Sequence, residues 1–125
     1  MLTAVCLGTN NLEAAGKFYD ELLATINMVR IVTAHNEIGY GIEGGQVSFW
    51  VVEPFNEKPA TFGNGTQFML QADSHEVVKK FHETALRLGG TDEGAPGPRD
   101  YTPTYYGAYC RDLDGNKLHV FDKNS

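Results

Sequence analysis

The chain has 125 residues, enough for one domain with a buried core and too few for two independent ones. Its 10 basic residues are scattered among 16 acidic ones, and this net charge of −6 argues against a nucleic-acid partner. No apolar run approaches the roughly 20 residues of a membrane-spanning helix, and the N-terminus lacks the pattern of an export signal. We therefore expect a cytoplasmic protein with no membrane partner.

The first half of the chain predicts a strand, a helix and three further strands. Residues 2–8 are rich in strand-forming residues and lead into a helix start, with Asn10 as the N-cap and Glu13 three residues later. Apolar residues then recur at helical spacing as far as about Ala24. Three extended stretches separated by turn residues follow, at 28–34, 37–43 and 46–53. The segment 1–53 is therefore predicted to be a βαβββ unit.

The second half repeats this order after a proline-containing connector, 54–64. A strand over 65–72 leads into a second helix start, with Asp73 in the cap position, and this helix ends near Leu88. Sliding the chain on itself by 63 residues superimposes Asn10 on Asp73, Glu13 on Glu76, Lys17 on Lys80 and Phe18 on Phe81. This single register predicts an internal repeat.

The last part of the chain predicts a long loop and a hairpin. Residues 91–104 are rich in Gly, Pro and Tyr and read as a loop, in which 91–98 is a degraded strand if the repeat is complete. Two strands then flank an Asp-Gly turn, at 105–111 and 116–122. We predict one α+β domain of two modules joined by 54–64, with boundaries 1–53 and 65–125.

Two segments resemble motifs of a known family. NLEAAGKFYDELL at 11–23 resembles the pattern DLxxSxxFYxxxL, and YYGAYCRDLDGNKLHVF at 105–121 resembles YxxFxxDPDGNxIEL. Both patterns belong to the glyoxalase/bleomycin-resistance/dioxygenase family, also called the vicinal oxygen chelate superfamily. The resemblance implies tandem βαβββ modules that form a curved, partly open sheet cleft flanked by helices. It also implies a homodimer.

The resemblance further implies where a metal ion would bind in such a protein, with one ligand on the first strand and one on the last strand of each module. The matching positions here are Ala4, Phe49, Gln67 and His119. Ala and Phe carry no donor atom, a Gln amide is a weak donor, and only His119 is a good ligand. We therefore expect no cofactor and no metal-dependent activity, with a divalent metal as the alternative.

His119 is the candidate catalytic residue. It alternates with Leu118 and Val120, which are expected to pack on the helices, so His119 should face the cleft. A buried structural histidine is the competing interpretation. The same alternation assigns three residues of the fifth strand to the cleft as ligand-binding candidates, Gln67, Met69 and Gln71.

Aromatic and basic residues supply the remaining ligand-binding candidates. Phe49 and Trp50 lie on one predicted strand, where core packing is the competing role for at least one of them. Four further candidates are assigned to the long loop, which we expect to form a lid over the cleft: Arg99, Tyr101, Tyr105 and Tyr106. Arg99 could bind a carboxylate or phosphate through two parallel hydrogen bonds, although a solvated Arg is the commoner case.

Two classes of function remain open. The favoured one is a metal-free protein that binds a small molecule in the cleft, similar to the bleomycin-resistance members that sequester a cationic drug. The alternative is a metal-independent lyase or isomerase, with His119 as the acid or base and Gln67 or a tyrosine as the oxyanion donor.

Overall fold

The computed structural model describes residues 1–123, so the last two residues of the predicted second module, 124 and 125, lie outside the described residues. The elements in chain order are β1 (Val5–Gly8), α1 (Leu12–Ala24), β2 (Met28–Thr33), β3 (Glu37–Ile42), β4 (Val47–Val52), β5 (Phe68–Gln71), α2 (His75–Arg87), β6 (Thr91–Pro98), β7 (Tyr106–Arg111) and β8 (Lys117–Asp122). Each half of the chain therefore has the order βαβββ.

The strands form two mixed sheets with the same topology. The first has the order β1-β4-β3-β2 and the second has the order β5-β8-β7-β6. The first and last strands of each half are parallel neighbours, and the other pairs are antiparallel. Adding 63 to the ends of β1 and α1 gives the ends of β5 and α2. The predicted α+β fold of tandem modules is confirmed.

Both helices begin one residue later than the sequence predicted. The N-cap of α1 is Asn11, whose side chain accepts a hydrogen bond from the Ala14 N–H, and the N-cap of α2 is Ser74. Asn10 and Asp73 are thus wrong as caps. Cap-forming side chains stand in adjacent positions at both sites, and the residue that adopts the cap is the one whose oxygen reaches the N–H three residues on.

The predicted loop 91–104 is shorter in the structure, because residues 91–98 form the strand β6, as a complete repeat requires. β6 lies at the edge of the second sheet, where its glycines and prolines are tolerated, and its pairing with β7 shifts register on both sides of Gly94. The connection that remains before β7 is the segment 99–105, which we call the tyrosine loop.

The core lies between the helices and one face of each sheet. The largest fully buried apolar and aromatic side chains come from both halves: Phe18, Tyr19, Leu22, Leu23, Tyr40, Phe49, Val51, Val78, Phe81, Leu118 and Val120. Burial of each such side chain stabilises the fold by about 1.5–3 kcal/mol. Among the described residues, neither helix has the length and apolar character that crossing a bilayer would require.

A buried polar network joins the two halves. Tyr19 of α1 donates a hydrogen bond of 2.6 Å to the Asp112 carboxylate, just after β7. The Asn116 amide donates to the same carboxylate at 2.9 Å and to the Gly8 carbonyl, at the end of β1, at 3.0 Å. Burial raises the pKa values of both Asp112 and Tyr19. The residues that carry the two family motifs therefore fix the modules to each other.

Candidate functional site

The side chains of β5 and β8 that point away from the helices share one surface, which we call the open face of the second sheet. Met69 lies opposite His119 and Gln71 lies opposite Phe121 in the parallel register. Leu118 points the other way and is fully buried in the core. The alternation of strand side chains between the two faces accounts for this division.

His119 lies on the open face and is nevertheless buried, with 1% of its surface exposed. Its ring stacks on that of Tyr109, with 4.1 Å between the ring centres and 27° between the planes. Its Nε2 atom lies 3.3 Å from the Tyr105 hydroxyl oxygen. Its Nδ1 atom is buried and has no hydrogen-bond partner among the described residues. A buried polar atom without a partner costs free energy, so a polar ligand atom that reached Nδ1 would stabilise the complex.

The surroundings of His119 keep its imidazole neutral at neutral pH. Burial, and then the positive charges of Arg99 and Lys117, lower the pKa of His119 to about 4. A neutral imidazole has one nitrogen that donates a hydrogen bond and one that accepts. His119 is therefore a hydrogen-bonding group in this site and not a charged one.

The tyrosine loop folds over His119. The Tyr101 and Tyr105 rings meet edge to face with their centres 4.8 Å apart, and Tyr105 also stacks on Phe121 at 5.4 Å. The Tyr101 hydroxyl lies 2.8 Å from the Tyr109 hydroxyl. Burial, and then this hydrogen bond, raise the pKa of Tyr109 to about 12. Tyr109 is therefore a neutral phenol at neutral pH.

A pocket of about 330 Å³ opens between the tyrosine loop and the open face. Its walls are Gln67, Met69, Tyr101, Tyr105 and His119. Three aromatic rings, a thioether and a few polar groups give it the mixed character typical of a small-molecule site. We call it the His119 pocket.

A larger pocket of about 500 Å³ lies beside the first, next to β1 and β5. It shares Gln67 and Met69 with the His119 pocket, and it also contains Phe49 and Gln71. The rest of its lining is apolar or weakly polar and includes no ionisable side chain. The titratable side chains that line these two pockets, Tyr101, Tyr105 and His119, therefore all belong to the smaller one.

Phe49 does not occupy the position that matches His119. It is buried against α1, where its ring centre lies 5.2 Å from that of Tyr19. Phe49 pairs with Val5 of β1, and Leu118 pairs with the equivalent residue of β5, so Trp50 is the true counterpart of His119. The prediction matched Phe49 with His119 by aligning the turn glycines Gly45 and Gly115. This alignment is one residue out of strand register, and a shift of one residue moves a side chain to the opposite face.

Tyr106 also lies outside the pocket, because it is the first residue of β7 and not part of the loop. It stacks on His75 of α2, with 4.1 Å between the ring centres and 11° between the planes. Neither Arg99 nor Trp50 lines the His119 pocket. Arg99 donates instead to backbone carbonyl oxygens of β6, those of Ala95, Gly97 and Pro98.

Two residues of β7 that the sequence analysis did not select complete the site. Tyr109 lies opposite His119 and covers its ring, and a Cβ atom on Gly107 would lie 3.0 Å from His119 Nε2. The absence of a side chain at Gly107 therefore leaves room for the imidazole. The alternation of Gly107 and Tyr109 with the small residues Ala108 and Cys110 was the signal that could have identified them.

The side chains at the family's metal positions do not fit a metal ion. Register gives these positions as Ala4, Gln67, Trp50 and His119, which offer one imidazole and one amide. Divalent ions in proteins are held by several carboxylate, imidazole or thiolate donors. No group of three or more His, Cys, Asp or Glu side chains among residues 1–123 is arranged to hold one.

Comparison with known proteins identifies the family. The model of the Glyoxalase/Bleomycin resistance protein/Dioxygenase superfamily matches residues 2–120. A glyoxalase/bleomycin resistance protein from Albidiferax ferrireducens T118 is 37% identical, with 96% of each chain covered and a TM-score of 0.86. No curated protein matches the chain.

More distant structures share the fold. A glyoxalase/bleomycin resistance protein/dioxygenase family enzyme from Burkholderia phytofirmans PsJN is 17% identical, with 98% of each chain covered and a TM-score of 0.75. A lactoylglutathione lyase from Agrobacterium tumefaciens is 19% identical, with 98% of this chain and 92% of that one covered and a TM-score of 0.64. The motifs, the tandem fold and the match over nearly the whole length agree, and this chain belongs to the Glyoxalase/Bleomycin resistance protein/Dioxygenase superfamily.

Proposed function

We propose that the protein binds a small organic molecule in the His119 pocket and that it does so without a metal ion. The observation that carries this proposal is the buried Nδ1 atom of His119, which lacks a hydrogen-bond partner among the described residues. A ligand that satisfied this atom would offset its desolvation cost, and the surrounding tyrosine rings would bury the apolar part of the ligand.

The donor set supports the metal-free part of the proposal. Ala4 and Trp50 stand where the family's first module would place ligands, and neither offers a donor suited to a divalent ion. Gln67 and His119 remain, and two ligands from one module form an incomplete site. We therefore derive no step that passes through a metal.

The alternative function, a metal-independent lyase or isomerase, requires His119 to act as an acid or base. An effective general base has a pKa near the working pH. The pKa of His119, about 4, makes this imidazole a weak base at neutral pH. The low pKa favours a binding role for His119, in which the ring donates or accepts a hydrogen bond and keeps its proton.

We also propose that the protein is a homodimer. The face of the first sheet that points away from α1 carries exposed apolar side chains, among them Val29 and Ile31 on β2, each 39% exposed. Arg30 between them points to α1 and pairs with Asp20, so Val29 and Ile31 point away from the core. Covering such a patch is a common reason for a C₂ pair to form.

Metal-independent binding is tested by a ligand screen on protein that has been treated with EDTA. Elemental analysis of the untreated protein should find no stoichiometric transition metal. Thermal shift should then find small organic binders, and EDTA treatment should leave their affinities unchanged. Gln67→Leu should weaken binding by about tenfold or more, because it removes the pocket's amide.

The matched control for this test is Gln46→Leu. Gln46 is exposed and lies outside every pocket described above, so the same substitution there should leave affinity unchanged. One transition metal per chain that disappears in His119→Ala would contradict the proposal. Equal loss of affinity in the Gln67 and Gln46 variants would show that the ligand does not bind in the His119 pocket.

A further inference from the structure

Two cationic side chains flank the ring that covers His119. The guanidinium carbon of Arg99 lies 5.4 Å from the centre of the Tyr109 ring, and the Lys117 ammonium lies 5.2 Å from it. Tyr109 in turn stacks on His119. Both cations are therefore held close to the His119 pocket, on the same side of the second sheet.

Neither charge is neutralised by a carboxylate among residues 1–123. Arg99 donates its hydrogen bonds to neutral backbone carbonyl oxygens of β6, and Lys117 makes no ion pair with a described residue. The other arginines differ in this respect, because each of them pairs with an acidic side chain: Arg30 with Asp20, Arg87 with Glu21 and Arg111 with Glu93.

The pocket contains no acidic side chain that would offset these charges, since its walls are Gln67, Met69, Tyr101, Tyr105 and His119. The field of Arg99 and Lys117 reaches its interior, because both lower the pKa of His119. The local charge is therefore positive in a chain whose net charge is −6. Charges next to a low-dielectric cavity act on its contents more strongly than the net charge of the molecule does.

The lining of the pocket favours a small aromatic molecule. The Tyr101, Tyr105 and His119 rings lie in its walls, and aromatic rings pack favourably edge to face or offset on one another. Its volume of about 330 Å³ lies at the lower end of the range for small-molecule sites. Phenol hydroxyls and a neutral imidazole can donate hydrogen bonds to an oxyanion, and none of the wall residues supplies a negative charge to bind a cation.

We propose that the ligand of the His119 pocket is a small aromatic monoanion, such as an aromatic carboxylate, and that Lys117 and Arg99 select it by charge. This inference rests on the proposed binding function and adds the chemical class of the ligand. A ligand of this class differs in charge from the cationic drug that the bleomycin-resistance members of the family sequester.

The test uses three probes that share one ring and differ in charge: benzoate, benzamide and benzamidine. Calorimetry or chemical-shift titration at neutral pH should give the highest affinity for benzoate and the lowest for benzamidine, at least about tenfold apart, with the uncharged amide between. Added salt should weaken benzoate binding and leave benzamide binding almost unchanged.

Variants identify the source of the selectivity. Lys117→Gln should lower the affinity for benzoate severalfold and leave that for benzamide unchanged, because the substitution removes a charge and keeps a polar side chain. Lys80→Gln on α2 is the matched control, since Lys80 is exposed and lies outside the pocket, and it should change neither affinity.

The outcomes separate the two proposals. If benzamidine binds as tightly as benzoate or tighter, the anionic class is wrong and small-molecule binding at the pocket stands. If no probe binds and the screen finds only cationic or neutral binders, the anionic class is again wrong. If neither the probes nor the screen gives any binder, the proposed function itself fails.

Discussion

At the scale of single residues, His119 combines two properties that seldom occur together. Its ring is packed as tightly as a core side chain against Tyr109, Tyr105 and Phe121, while its Nδ1 atom lacks a partner among the described residues. The packing of the ring stabilises the fold, and the buried nitrogen without a partner destabilises it. A ring without nitrogen would keep the first contribution and remove the second.

His119→Phe is therefore expected to keep or slightly raise stability at neutral pH and to abolish ligand binding. The folded-state pKa of about 4 lies below the usual 6.5, so the folded state binds fewer protons than the unfolded state between these values. The contribution of neutral His119 is fully present above about pH 6.5 and is lost as the pH falls towards 4. Melting temperatures of the wild type should fall more steeply over this range than those of His119→Phe.

Leu118→Ala is the control for this substitution, because Leu118 is the neighbouring residue on the helix side of β8. It should cost about 2–5 kcal/mol of unfolding free energy at every pH and should keep the pH dependence of the wild type. Identical pH dependence in His119→Phe and the wild type would contradict the lowered pKa of His119.

The sequence was sufficient for some residues of the site and not for others. Alternation alone grouped His119 with Met69 and Gln71, because the strand period is two and the helix-side residues are plainly apolar. The prediction for Phe49 is wrong because it depends on an alignment of the turns at Gly45 and Gly115. These two turns differ by one residue relative to strand register. Periodicity cannot correct such a slip when both faces of a strand are apolar.

At the scale of elements, the turn between β7 and β8 acts as a connection between modules as well as a hairpin. Asp112 accepts hydrogen bonds from the Asp114 and Asn116 backbone N–H groups, and the Tyr19 hydroxyl reaches the same carboxylate from α1. The DLDGN and FY segments thus meet in space although about 90 residues separate them in sequence.

Tyr19→Phe is expected to lower the free energy of unfolding by about 1–3 kcal/mol, because the ring is kept while a buried carboxylate loses a donor. Urea unfolding measures the change. Tyr101→Phe is the matched control, since the Tyr101 side chain is largely exposed and its loss should stay within about 0.5 kcal/mol. Equal losses in the two variants would show that the connection to Asp112 adds nothing to stability.

β6 shows why the boundaries of elements could not all be predicted. Its sequence, TDEGAPGP, lacks the apolar alternation and the β-branched residues by which strands are recognised. The strand forms because β7 provides an ordered edge, and the register shifts around Gly94 absorb the irregular residues. Information that comes from the neighbouring strand is absent from the local sequence.

At the scale of the whole molecule, the internal repeat was the most informative feature of the sequence. The 63-residue offset predicted from four residue pairs is also the offset between the ends of the first strands and helices. The sheet of each module must bury its apolar face against a helix. The order of the elements was therefore enough to predict that helices pack on one face of each sheet. The ligand and the charge of its pocket depend on distances that only the folded chain supplies.

Light scattering at micromolar concentration is expected to give twice the chain mass of 13.8 kDa. Ile31→Glu should shift the protein towards the monomer, because it places a charge on the exposed apolar patch of the first sheet. Leu86→Glu on α2 is the matched control, since Leu86 is about equally exposed on the opposite, helical side. A monomeric wild type would remove the dimer proposal.

The most direct test of metal-free binding at the His119 pocket is a side-chain ¹⁵N spectrum of His119 in EDTA-treated protein, with and without the tightest binder from the screen. At neutral pH we predict one protonated and one unprotonated ring nitrogen, as the pKa of about 4 requires. On binding, the Nδ1 resonance should shift as this unpaired atom gains a hydrogen bond. A fully protonated ring, an unchanged Nδ1 resonance at saturation, or a shift that appears only when metal is restored would contradict the account.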